Sequence, residues 1–142
     1  MKTSVGIVLA LFLIGCSSGG KKVSVAFRNI GEKSVFIFPI EMNHQTVGAG
    51  TLISNATASS TIYLETDFEF PEDVTVKWRK SDDSVVTKTV PLKGKFPKEY
   101  KQNRDELIFN IFADDTVQLS FKIETGKYKW KEIDSEGNEI TK

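Results

Sequence analysis

From residue 23 onward, apolar and polar positions alternate with a period of two. That period places successive side chains on opposite faces of a strand. Residues 23–27 (VSVAF) alternate and run into a turn at 29–33. Residues 34–42 follow, with Val35, Phe36, Ile37 and Phe38 as a nearly continuous apolar run. Such a run suits a strand buried on both faces or lying at a sheet crossing. Pro39 lacks a backbone donor, so the strand bends there or lies at an edge. Residues 43–60 are rich in Gly, Ala, Ser, Thr and Asn, with a short strand expected at 50–53 and another at 60–65. Val74, Val76 and Trp78 share one face of residues 74–79, and Ser81-Asp82-Asp83-Ser84 turns this strand into 85–92 as a hairpin. Residues 93–104 form a loop with room for one helical turn. Residues 107–112 and 117–123 make a second hairpin through Ala113-Asp114-Asp115, and 128–133 either faces 139–141 across residues 135–138 or, being polar, frays. Seven to eight short strands at roughly ten-residue spacing predict an all-β fold, an antiparallel β-sandwich or barrel. No long amphipathic helical window competes, and no internal repeat is present.

The first residues break this pattern. Met1 and Lys2 give a positive start, residues 5–14 are an apolar run, and Gly15 is small. This is the layout of a secretory signal peptide over residues 1–15. The run falls short of the ~20 apolar residues that a membrane-spanning helix needs. Leu13-Ile14-Gly15-Cys16 then resembles the lipobox of bacterial lipoproteins. That resemblance implies diacylglycerol attachment at the Cys16 thiol, cleavage just before it and acylation of the new amino group. Each buried acyl methylene contributes about 0.8 kcal/mol of membrane affinity, and stable anchoring takes more than one chain. Residues 16–22 (CSSGGKK) then read as the lipidated cysteine and a flexible tether, with the β domain at 23–142. In that family an aspartate after the cysteine retains the protein at the inner membrane. Ser17 therefore implies the outer membrane, with the domain facing the periplasm.

Composition narrows the chemistry. Without the signal's single lysine, 18 basic residues face 19 acidic ones, because the whole chain has 19 of each. A chain so nearly neutral gives no basic footprint for nucleic acid. Cys16 is the only cysteine, so once it is lipidated the domain has no thiol and no disulfide. That removes a thiolate nucleophile, a cysteine zinc site and an iron–sulfur cluster. His44, the only histidine, lies in a turn-like MNHQT segment, and no G-x-S-x-G nucleophile motif accompanies it. One histidine without cysteines is also a poor start for zinc. Residues 46–51 (TVGAGT) look like a phosphate loop but lack its lysine and a following helix, so the glycines read as a bulge or tight turn. Residues 134–139 (DSEGNE) do not match the ligand spacing of a calcium loop. No cofactor and no metal is expected, and binding is favoured over catalysis. A hydrolase using His44 or a pair of carboxylates is the enzymatic alternative.

Two loops stand out as surfaces. Asp67, Phe68, Glu69 and Phe70 mix acids with aromatics, and both phenylalanines fall on one face if extended. Aromatic anchors dominate interface energies and rim charges steer encounter, so these four are the candidate partner-binding residues. The competing reading sends both phenylalanines into the core. Residues 93–104 surround Phe96 and Tyr100 with cations, which suits an acidic partner or head groups, or a solvated connection.

The order Trp78-Arg79-Lys80, Val90-Pro91-Leu92, Phe96-Pro97-Lys98-Glu99-Tyr100, Leu107-Ile108-Phe109 and Val117-Gln118-Leu119 is similar to small bacterial lipoproteins that act as immunity proteins beside type VI secretion effectors. The resemblance implies a lipid-anchored domain that binds and neutralises an incoming effector, such as a lipase, in the periplasm. It carries no contact residue over to this chain. An accessory structural lipoprotein of an envelope assembly or secretion machine is the alternative, and a lysozyme or other hydrolase inhibitor a further one. The cysteines that staple many lysozyme inhibitors are missing here.

Overall fold

The structure, a computed structural model, describes residues 21–48, 50–64 and 68–141. These form eleven strands in chain order: β1 (Lys21–Asn29), β2 (Val35–Ile37), β3 (Ile40–Met42), β4 (Gln45–Val47), β5 (Gly50–Leu52), β6 (Thr57–Leu64), β7 (Asp73–Lys80), β8 (Val85–Pro91), β9 (Glu106–Ile111), β10 (Val117–Gly126) and β11 (Lys129–Asp134). A five-stranded sheet has the order β11-β10-β9-β1-β6, and a four-stranded sheet the order β5-β2-β7-β8. β3 and β4 form a small separate ribbon. Both larger sheets are open, and their apolar faces pack on each other as a sandwich. All pairings are antiparallel except β1 with β9, which run parallel.

The core follows from the alternation. β7 buries Val74, Val76 and Trp78 and exposes the residues between them. Across the gap, Val23, Val25 and Phe27 of β1, Leu107, Phe109 and Ile111 of β9, and Phe121 and Ile123 of β10 turn inward. The parallel register sets Phe27 beside Phe109, and their rings stack at 5.4 Å between centroids. Asn29 is buried at the end of β1, where its backbone bonds Ala56 and Asn55 and its side chain adds further bonds. Its amide donates to the carbonyls of Lys33 and Leu52, and its oxygen accepts from the Gly31 N–H, so the 30–34 loop is tied to β5.

The strand count exceeds seven or eight for local reasons. Pro39 splits the 34–42 run into β2 and β3. Asn43 and His44 both have positive φ, 44° and 65°, and close β3 onto β4 as a two-residue loop. That turn requires positive φ at both central positions, which asparagine tolerates well. The two predicted hairpins, β7 with β8 and β9 with β10, are both present. They close on the same device. Asp83 (φ 66°) and Asp115 (φ 65°) take the left-handed position. Before each, Asp82 or Asp114 accepts from both the N–H and the hydroxyl two residues on. β11 pairs chiefly with β10, and its expected partner at 139–141 is reduced to one bridge from Ile133 to Glu139.

Candidate functional site

The acidic-aromatic loop and the cationic loop meet. Phe68 is buried and sets its ring edge-on to Phe70 at 5.1 Å. Phe70 packs on Phe96 at 4.7 Å, and Phe96 and Tyr100 both reach Phe121 of the core. The Gln102 amide donates to the Phe68 carbonyl, and the Lys93 ammonium lies 2.6 Å from the Glu72 carboxylate on the surface. The two aromatics of the candidate patch therefore extend the core at one end of the sandwich, and Glu69 stays exposed. Asp67 and Cys16 lie outside the described residues.

Asp105 anchors this layer. It is 1 % exposed, and its carboxylate accepts from the Lys101 and Glu124 N–H groups and from the Arg104 guanidinium. Burial alone would push its pKa up; the Arg104 hydrogen bond and the two N–H donors outweigh that and hold it below the ordinary range. The Tyr100 hydroxyl, in contrast, is buried without a partner among the described residues. Burial, with the Asp105 and Glu106 charges behind it, raises that phenol well above its ordinary value.

The outer face of the five-stranded sheet carries a second constellation, one that periodicity alone does not mark. Register places Arg28 beside Asn110 and Thr57, and Lys122 beside Glu106 and Glu132. The Arg28 guanidinium donates to Glu132 through both terminal nitrogens, at 2.6 and 3.1 Å, to Asn110 Oδ1 at 3.2 Å, and to Thr57 Oγ1 at 3.1 Å. Asn110 donates to Ser120 Oγ at 2.9 Å, and Ser120 donates to Glu132 Oε1 at 2.8 Å. The ring of bonds thus closes across β1, β9, β10 and β11. The Arg28 and Glu132 side chains are only 17 % and 9 % exposed. Ala26 and Ile108 are buried on the same face as Arg28, by the alternation of their strands.

Beside this network lies an open groove of about 520 Å³ lined by Arg28, Glu132, Trp130 and Ile140 among others. Trp130 remains 48 % exposed, with the Lys122 ammonium 5.0 Å from its ring centre. The bridge after β11, together with the Ile140 N–H bonding the Glu132 carbonyl, brings Ile140 to the rim. An exposed tryptophan beside a fixed arginine matches the residue types enriched in protein interfaces. The sequence clue was Asn110, a polar residue inside an otherwise apolar strand; its partners are distant in the chain.

A cleft of about 540 Å³ opens at one end of the sandwich, between the 30–34 loop and the Asp-rich turns after β7 and β9. Lys80 spans it to Asp115 at 3.1 Å. Asp82 and Asp114 have lowered pKa values, each because the hydroxyl of Ser84 or Thr116 donates to it first and the N–H of the same residue second. Their acceptor capacity is thus taken up within the turns. His44 sits exposed in the β3–β4 turn. Gly48 occupies a left-handed position (φ 47°) against the Phe27 ring, a backbone conformation that glycine adopts without strain. Asp134 accepts from the N–H groups of Glu136 and Asn138 and closes its own turn. Comparison with protein-family models, curated proteins and solved structures gives no match, so function is argued from the residues themselves.

Proposed function

We propose that this chain is a lipid-anchored protein of the bacterial envelope that acts by binding, and that it neutralises a secreted antibacterial effector in the periplasm. The observation that carries the binding reading is the outer sheet face. It offers a pre-ordered hydrogen-bonding floor at Arg28, Asn110, Ser120 and Glu132 between the exposed apolar side chains of Trp130 and Ile140. Tryptophan and arginine are the residue types that most often dominate interface energies. A fixed, hydrogen-bonded face loses little order on binding, which favours a folded protein partner of standard interface size, about 800 Å² per side. The lipobox at residues 13–16 supports the location, and Ser17 supports the outer membrane. The resemblance to type VI immunity lipoproteins supports an effector as the partner.

The test has two arms. Cells lacking the protein are challenged by sibling cells that deliver the effector; loss of fitness is expected, and rescue requires both Cys16 and Trp130. Purified effector should bind the wild-type chain and bind Trp130→Ala at least about tenfold more weakly. Full fitness without the protein would overturn the effector reading. An assembly or secretion defect in the absence of any attacker would assign it instead to an envelope machine.

A further inference from the structure

We infer that the β6 edge is a docking site for a second copy of this chain, joined strand to strand. Edge strands present unpaired backbone groups, and folded proteins normally blunt them with charge, proline, shortness or cover. The other edges of the two larger sheets follow that rule. β5 has three residues. β8 carries Lys88 and Pro91. β11 carries Lys129 and Lys131, and the return at Glu139 and Ile140 covers part of it. Among the described residues β6 has none of these devices. Its eight residues, TASSTIYL, hold neither charge nor proline. Among the described residues its ladder is made with β1 alone. Its side chains that bond, Thr57 and Thr61, do so toward Arg28 and Ser24 of β1 and leave the outer edge open.

The strand is complementary to itself. An antiparallel pair about a two-fold axis at Ser60 sets Ser59 opposite Thr61, Ala58 opposite Ile62 and Thr57 opposite Tyr63. Each large side chain then meets a small one, and no like charges face each other. Tyr63, 76 % exposed in the single chain, gains a neighbour. Register with β1 turns Ala58, Ser60 and Ile62 toward the sandwich interior, opposite Phe27, Val25 and Val23. Beside Ala58 is a slot of about 190 Å³ lined by Phe27, Ile37 and Leu52. The incoming copy's Ile62 arrives at its mouth, so pairing brings side-chain burial as well as backbone bonds. Thr57 and Ser59 of β6 also line the groove beside Trp130 and Ile140, whereas pairing adds a strand along the outer edge of β6; association of the chain without effector therefore reads the pairing by itself.

The experiment uses the full, detergent-solubilised chain. Light scattering after size exclusion should give two chains per particle. Ser59→Lys with Thr61→Lys sets lysine against lysine and should weaken association at least about tenfold. Circular dichroism should stay unchanged, since both sites are exposed. Oxidative cross-linking then reads the register. Ser60→Cys should cross-link to its own copy, whereas Thr57→Cys lies roughly 20 Å from its counterpart in this register and should not. Wild type serves as the blank for Cys16. A monomeric wild type, a dimer indifferent to the lysines, or equal cross-linking at 57 and 60 would overturn the assignment. A monomer that pairs only with a foreign strand would overturn the second copy as its occupant.

Discussion

Replacing Glu132 by alanine tests the network on the outer sheet face most directly. The change removes both bonds to the Arg28 guanidinium and the acceptor of Ser120 Oγ. Arg28 keeps only Asn110 and Thr57 in a site where its side chain is 17 % exposed. Breaking a fully buried ion pair by removing one partner costs about 3–5 kcal/mol, and an exposed pair is worth about 0–1 kcal/mol. With the partners 17 % and 9 % exposed, the pair lies nearer the buried limit, and about 2–3 kcal/mol is expected. For a domain of this size that lowers Tm by roughly 6–15 °C. Arg28→Met alone takes the guanidinium from the nearly buried Glu132 carboxylate and should cost a similar amount. Arg28→Met with Glu132→Leu removes both charges over the buried Ala26 and Ile108 and should recover to within about 1 kcal/mol of wild type. The assay is urea unfolding of wild type, Arg28→Met, Glu132→Leu and the double variant, read as a double-mutant cycle; single costs of about 2–3 kcal/mol each against at most about 1 kcal/mol for the pair give a coupling energy of about 3–6 kcal/mol. A Glu132→Ala cost below about 0.5 kcal/mol, or additive single costs, would refute the reasoning and make the pair an ordinary solvated contact. Effector binding by the double variant separates the two roles. A stable variant that no longer binds assigns the network to recognition.

Tyr100→Phe removes a buried hydroxyl that has no partner among the described residues and should stabilise the domain by about 1 kcal/mol, seen as a rise in Tm; a loss of stability would show that the hydroxyl has a partner. Asp105 has a folded pKa below its ordinary value of 3.8, so its contribution is complete above that value and is lost as pH falls through the folded one. Asp105→Asn should therefore lower stability at pH 7 and reduce the acid slope of wild type between about pH 5 and 2. Asp82, Asp114 and Asp134 act in the same direction and keep part of that slope, which pH-resolved thermal melts can measure. His44→Gly places glycine at φ 65° and should be neutral or stabilising by up to about 1 kcal/mol in denaturant titration. Gly48→Ala adds a methyl 2.9 Å from the Phe27 ring at φ 47°, and a cost of about 2 kcal/mol is expected from the same titration.

The sequence by itself determined the all-β class and the two central hairpins. Their signals are local: alternation in VTVKWRK, and aspartate pairs that set their own turns. It also located the bend at Pro39, because a missing donor is a property of the residue. The fate of Phe68 and Phe70 was undetermined, since alternation states that two side chains share a face and does not state what covers it. Tertiary packing decided it by bringing Phe96 and Tyr100 across from a loop some thirty residues away in the chain. The parallel pairing of β1 with β9 was likewise invisible, because nothing local selects a partner eighty residues distant. That pairing places Arg28 beside Asn110, and β10 then brings Ser120 and Glu132 to them. The outer-face network exists only through register, and β6 became an edge only when the sheet order was set. Short-range chemistry wrote the strands and turns; long-range pairing, driven by burial of their inner faces, chose which polar residues meet.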